Sequence, residues 1–350
     1  MRFVVLGLAL WATPGLANDG FGGLSATGLT FGQTEAVAME SEDLTISPDR
    51  ITVAYIFRNI TDADVTGEAI FPLPPIPLAA QLESAWNLPA DKGRDNLMDF
   101  TATVDGRSVP VTIDRIAVIE PPWQEGRAPS AQYDTPGTDV TAALARHGIS
   151  LSIDAEAVRA QLMAMPEAQR ATMKAEALAD WYVPTAEEAA SGVRAEAWPL
   201  WSVVQRHHWT QTFAAGATVR IEHSYANHPP GGLFYWQDPP QEEWYQALRE
   251  RYCIDAGTSR AIMQVLPKDP DDGQGFGTAW DIEYVLRTAN SWAGPIKHFR
   301  LTLDKGAKDR VISLCATGLV KTGPTTFVME KTDFVPDRDL EIILIGKAPD

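Results

Sequence analysis

Residues 50–59 read RITVAYIFRN, and the alternation in this stretch decides the fold class. Ile51, Val53, Tyr55 and Phe57 fall on one face of an extended chain, and Thr52, Ala54, Ile56 and Arg58 on the other. A period of two is what a strand with one buried face shows and a helix does not. The next residues, ITDAD at 60–64, form turns, and 65–73 resumes the strand pattern. Pro72, Pro74, Pro75 and Pro77 then stop it, because proline has no N–H to give to a ladder. The spacing predicts a hairpin of 50–59 with 65–73. A second pair of strands is expected at 100–104 and 109–118 around Asp105-Gly106, a dipeptide suited to a tight hairpin turn.

Outward from there the texture changes. Between 138 and 197 the chain is Ala-rich and charged, with Val158, Leu162 and Met165 at one helical spacing and Met173, Ala177 and Trp181 at another. Pro166 separates two helices, and Thr185 with Glu188 fits a capping box. Strand patterns return as VVQRHHWTQTF at 203–213 and ATVRIEHSY at 217–225, with Ala215-Gly216 as the turn. Tyr245, Leu248 and Tyr252 predict a helix over 241–252, and Thr258 is placed to cap another that runs to Leu266. Gly273, Gly275 and Gly277 read as a loop, and further strands are expected at 279–288, 296–303, 311–315, 325–332 and 339–345. Short strands punctuated by Gly and Pro indicate a mainly β protein of immunoglobulin-like β-sandwich units with a helical insertion. The expected division is a leader at 1–17, an N-terminal β unit at 18–137, the insertion at 138–197 and a C-terminal β unit with short helices at 198–350, the two β units packed as one body.

Several stretches also resemble a known family. ANDGFGGLSATGLTFGQTEAVAMESEDLTISPDRITVAYIFRN at 17–59, IFPLPP at 70–75, HHWTQTFAAGATVRIEHSY at 207–225, ANSWAGPIKHFRLTLDKG at 289–306 and DFVPDRDLEIILI at 333–345 are similar to exported bacterial proteins grouped as domain of unknown function family 4424. The resemblance covers nearly the whole mature chain. It implies an immunoglobulin-like β-sandwich with helical embellishment, and no activity or catalytic residues.

The chain opens on Met1-Arg2, an apolar run from 3 to 11, and Pro14-Gly15-Leu16-Ala17, which places small residues before a cleavage site. This is a signal peptide pattern, too short to span a bilayer, and predicts export with Asn18 as the new terminus. No later stretch predicts a transmembrane anchor. Of 350 residues, 46 are acidic and 29 basic, a net charge of −17 that argues against nucleic acid as a partner. Cys253 and Cys315 are the only cysteines, and in an oxidising compartment they are expected to be bridged.

Catalytic motifs are missing from the sequence, so neither an enzyme nor a cofactor is expected. His207 and His223 are the weak metal-site pair, placed to face one another across a hairpin. Glu40, Glu42 and Asp43 read as a solvated acidic strand edge. Five tryptophans lie between 198 and 244, and the segment from His228 to Trp236 gathers aromatics on a Pro/Gly-rich stretch. Phe234, Tyr235, Trp236 and Trp244 are therefore the binding residues to examine. In an extended chain Trp236 would point to the core and Tyr235 away from it. The favoured function is that of an exported, periplasmic or secreted, envelope interaction or structural protein whose partner is another envelope protein. The alternatives are a glycan or small-molecule binding module built on 198–244, and a hydrolase with unrecognised carboxylates.

Overall fold

A computed structural model describes residues 20–22, 34–83, 86–124, 137–271 and 273–347. The leader read at 1–17 lies outside the described residues. The protein is mainly β, with several sheets. The largest has eight strands, in the order Val320–Lys321, Thr326–Phe334, Ile296–Asp304, Val37–Ile46, Arg50–Asn59, Thr218–Ala226, Thr101–Val104 and Arg107–Ser108. It takes strands from both ends of the sequence, and Val37–Ile46 runs parallel to Ile296–Asp304 and antiparallel to its other neighbour, Arg50–Asn59. A six-stranded sheet is centred on Ser202–Phe213, flanked by Val65–Pro72 and Thr112–Ile119. A four-stranded sheet orders Gly231–Trp236, Gly275–Tyr284, Leu340–Gly346 and Val311–Leu314.

The alternation of residues 50–59 is realised as the sequence predicts, with Ile51, Val53, Tyr55 and Phe57 buried. They meet Phe71, Trp209 and Phe213 of the six-stranded sheet and Ile282, Tyr284 and Ile342 of the four-stranded sheet in one core. The eight-stranded sheet is thus one layer, and the two smaller sheets share the layer that covers it. Apolar burial of this kind is the main favourable term in folding.

The partners differ from the hairpins that the spacing predicts. Arg50–Asn59 pairs with Thr218–Ala226, and Val65–Pro72 pairs with Ser202–Phe213. The connections at 60–64 and 214–217 are therefore arches that cross between facing sheets. They lie side by side, with the Gly216 N–H donating to the Thr61 carbonyl at 3.0 Å and the Ala215 N–H to Asp64 Oδ1 at 2.8 Å. Period two fixes which face of a strand is buried, and says nothing of which edge it pairs through. The Asp105-Gly106 hairpin does form, with positive φ at both residues (48° and 74°) as its turn requires. It is short, because the strand after it, Thr112–Ile119, has already passed Pro110 into the six-stranded sheet.

Other corrections are local. Val37–Ile46 lies inside its sheet and not at an edge, and the register shift between Met39 and Ser41 turns Glu42 inward, where it is 1% exposed. In the insertion, the helix Glu167–Ala175 ends before Trp181, which sits instead on Ala179–Tyr182, paired with Glu196–Pro199. The Thr185 and Glu188 capping box is present. Asp255, three residues before Thr258, caps the helix Ala256–Val265. Gly275 and Gly277 belong to a strand, and a side chain at Gly277 would collide with the Gly346 carbonyl and Leu266. Cys253 and Cys315 are bridged, with Cα atoms 5.0 Å apart. Among the described residues no helix is long and apolar enough to cross a membrane.

Candidate functional site

The eight-, six- and four-stranded sheets meet at a cleft. Residues 227–230, NHPP, carry the chain from Thr218–Ala226 of the eight-stranded sheet to Gly231–Trp236 of the four-stranded sheet. This crossing is pinned by hydrogen bonds. The Ala226 N–H donates to the Met98 carbonyl (2.6 Å), the Asn227 N–H to the Asp49 carbonyl (2.9 Å), Asn227 Nδ2 to the Ser47 carbonyl (2.8 Å) and Asn87 Nδ2 to the Pro229 carbonyl (2.9 Å). From the six-stranded sheet, Val65–Pro72 runs out into Leu73-Pro74-Pro75. A space of about 90 Å³ lies among Leu73, Pro74, Pro75, Leu88, Pro229 and Pro230. Proline's fixed φ and missing N–H make this wall both stiff and apolar.

Asp281, Ile282 and Glu283 of the strand Gly275–Tyr284 also line the cleft. The Asp281 N–H donates to the Pro230 carbonyl at 2.9 Å and ties crossing to strand. Because side chains alternate, Ile282 and Tyr284 enter the shared core while Asp281 and Glu283 take the other face. There they meet the last turn of the helix Glu243–Tyr252. Tyr252 donates through its hydroxyl to Asp281 Oδ1 at 2.8 Å. Arg251 pairs with Glu283 and, through Nε, with Glu341 Oε1 at 2.9 Å.

Glu283 is 2% exposed, and its Oε2 has no hydrogen-bond partner among the described residues. Burial pushes its carboxyl up to about 8 against the pull of the Arg251 guanidinium, and burial likewise raises Asp281. The Tyr252 phenol is pushed far up by burial and by the Asp281 carboxylate beside it. Trp86, a further lining residue, has a buried Nε1–H without a partner among the described residues. His228 is lowered, by burial first and then by Arg94. A preformed concavity with rigid apolar walls has the makings of a ligand site.

The sequence model of the family described as domain of unknown function (DUF4424) matches residues 17–343. The chain belongs to that family. Among solved structures it is similar to one from Legionella pneumophila described as a "putative nutrient binding protein", at 15% identity and a TM-score of 0.45, covering 95% of this chain and 71% of that one. Comparison with curated proteins finds no match.

In this DUF4424 chain the residues singled out from sequence fall in separate places. On Gly231–Trp236, Phe234 and Trp236 point inward, and Trp236 is fully buried with its Nε1 donating to Ser259 Oγ at 2.9 Å. Tyr235 is 44% exposed and touches Phe276, its cross-strand neighbour. Trp244 is exposed and donates to Glu242 Oε2 at 2.7 Å. None of these four lines the cleft; His228, Pro229, Pro230 and Gly231, from the same stretch, do. His207 and His223 stand in two different sheets and not across one hairpin. Both are buried and both pack against the Phe71 and Phe100 rings. Among the described residues no group of three or more His, Cys, Asp or Glu side chains is gathered as a metal needs.

The cleft residues that sequence reading passed over had some signal. Leu73-Pro74-Pro75 was visible only as a strand stop. WDIEY at 280–284 places acids at alternate positions in a strand, which is conspicuous only once the face they occupy is known to be buried.

Proposed function

We propose that this protein is an exported binding protein, without catalytic activity, that holds a small, partly apolar molecule in the cleft between its sheets. The observation that carries the reading is a preformed apolar wall in which four prolines, Leu73 and Leu88 enclose a space of about 90 Å³. A buried water needs on the order of 10–15 Å³, so about 90 Å³ suits a compact ligand. Asp281 and Glu283 are engaged by Tyr252 and Arg251, which supports a holding role over that of a free acid and base pair.

The leader pattern at 1–17 and the Cys253–Cys315 bridge support export. Intact-mass measurement of the exported product should give a chain beginning at Asn18, and a retained Met1 overturns that part of the reading. The facing sheets and their shared core support the immunoglobulin-like sandwich as the architecture that carries the site. A second reading, contact with another envelope protein, is favoured by the exposed Leu233 and Tyr235 on the edge strand Gly231–Trp236.

The test is native mass spectrometry of protein purified without denaturant, compared with Leu88→Trp, which fills the cleft. Wild type should retain a small molecule that the variant lacks at unchanged melting temperature. Identical spectra, with no added mass on either, sink the binding reading.

A further inference from the structure

The polar groups that border the cleft are either engaged or turned away from it. Asn87 and Asn227 spend their Nδ2 donors on the Pro229 and Ser47 carbonyls, and the Pro230 carbonyl accepts from the Asp281 N–H. The four prolines have no N–H to offer. Asp281 and Glu283 border the space through their main chain, because their side chains take the opposite face of the strand, where Tyr252 and Arg251 hold them. The Trp86 Nε1 is too deeply buried for a guest to reach. His228 is half-buried, and burial and then the Arg94 charge favour its neutral ring over the opposing pull of Asp99 and Asp49. The rest of the lining is largely hydrocarbon, from Ile51, Leu73, Leu88, Met98 and Ile282 beside the proline rings. A charged guest would find no counter-charge here, and an unpaired buried charge is costly.

We propose that the cleft takes a single uncharged aromatic ring, seated against Pro74-Pro75 and Pro229-Pro230. The inference rests on the binding reading above and names its ligand class. Two proline pairs, one following the strand Val65–Pro72 and one from the crossing at 227–230, border the same space. The C–H groups beside a proline nitrogen carry partial positive charge and the face of an aromatic ring partial negative charge, and proline-rich peptides dock on aromatic side chains for this reason. In this cleft the prolines belong to the protein and the ring to the guest. A flat ring also enters without freezing torsions, as a flexible chain of like size must. Cavities of about 150 Å³ lined by Leu, Ile and Phe take up benzene, so a cleft of about 90 Å³, which need not enclose its guest, has room for one ring.

The experiment is calorimetric titration at neutral pH with phenol, cyclohexanol and N-methylpyridinium, three ring probes of like size that differ in aromaticity and charge. The protein is first dialysed until its native mass spectrum shows no retained molecule. Phenol should bind about threefold or more tighter than cyclohexanol, the margin an aromatic contact gives beyond its area. It should bind about tenfold or more tighter than N-methylpyridinium, whose charge sits in the ring and is buried with it. Leu88→Trp should abolish phenol binding, and Pro74→Ala should bring phenol and cyclohexanol to within about twofold of one another by removing one proline face. Cyclohexanol or N-methylpyridinium binding as tightly as phenol overturns the assignment and leaves the cleft a site for another ligand class. Phenol binding that survives Leu88→Trp, or a preference left intact by Pro74→Ala, overturns it as well. Failure of all three probes overturns the assignment alone; where the undialysed protein also retains nothing, the binding reading falls with it. Should either variant unfold, the methyl chemical shifts of Leu73, Leu88 and Met98 in wild type decide where phenol sits, and the ranking of the three probes decides the class.

Discussion

Asn59 donates through Nδ2 to the Phe213 carbonyl at 2.9 Å, tying the arch at 60–64 to the one at 214–217. The same nitrogen donates to the Ala63 carbonyl at 2.7 Å, and Oδ1 accepts from the Thr61 N–H and hydroxyl at 2.9 and 2.8 Å. The side chain is fully buried, and of these partners the Ala63 carbonyl also accepts from the Thr61 hydroxyl at 3.1 Å. Asn59→Ala should lower unfolding free energy by about 3 kcal/mol in urea titration, since each buried group left unpaired costs about 1–3 kcal/mol. Asn59→Asp, which cannot donate, should also destabilise. A change within about 0.5 kcal/mol for both would remove the arches from any structural role.

The His207 ring is fully buried against Phe100, at 4.7 Å between centroids, and burial lowers it to about 4. Asp114 and the Phe71 backbone oppose that shift, and His208 and His223 add to it. The fold therefore prefers the neutral ring, while the unfolded chain takes up a proton near pH 6.5. Stability tied to this residue is complete above about pH 6.5 and is lost as pH falls toward 4, by about 3 kcal/mol. The measurement is the difference in unfolding free energy between wild type and His207→Gln across that range. A difference that stays constant with pH contradicts the assignment.

Neighbouring aromatics on one edge strand should respond in opposite ways. Trp236 stacks on Phe234 and meets Tyr245 edge-on at 5.2 Å, so Trp236→Ala should cost about 3–5 kcal/mol. Tyr235→Ala, on the exposed face, should stay within about 0.5 kcal/mol. Equal losses in thermal or chemical denaturation would mean that the strand presents its faces the other way round.

The Cys253–Cys315 bridge closes a separation of 62 residues, and the Ser313 hydroxyl adds a second tether by donating to the Tyr252 carbonyl at 2.8 Å. Replacing both cysteines by serine should cost about 2–5 kcal/mol, chiefly through the freed unfolded chain. Non-reducing peptide mapping should join the two residues. A melting temperature equal to that of wild type would show the bridge to be structurally idle.

Much of the fold was legible where burial is one-sided. Ile51 to Phe57 announce their strand because the period of two survives intact, and Thr185 with Glu188 announces its cap because both residues act locally. Pairing was not legible. Nothing in residues 50–73 distinguishes a hairpin from an arch, since the deciding partners, Thr218–Ala226 and Ser202–Phe213, lie far along the chain. The same limit hid the cleft. Pro74, Pro230 and Glu283 come from three sheets' worth of sequence, and their meeting is a property of tertiary packing alone. The aromatic stretch pointed near it, and missed because Phe234 and Trp236 spend their apolar surface on the helices behind the four-stranded sheet.

The parallel pairing of Ser41 with His298 sets the order in which the molecule can be assembled. The two strands are roughly 250 residues apart, so closing that contact is among the slowest events open to the chain, and nothing local can nucleate it. Until Ile296–Asp304 has left the ribosome, Val37–Ile46 has one unoccupied edge, and an open edge is a template for mispairing. Synthesis from the N-terminus therefore exposes this sheet half-built for most of its duration. A chain halted at 290 should be found in aggregates or held by chaperones, whereas one that loses only its last few residues should not.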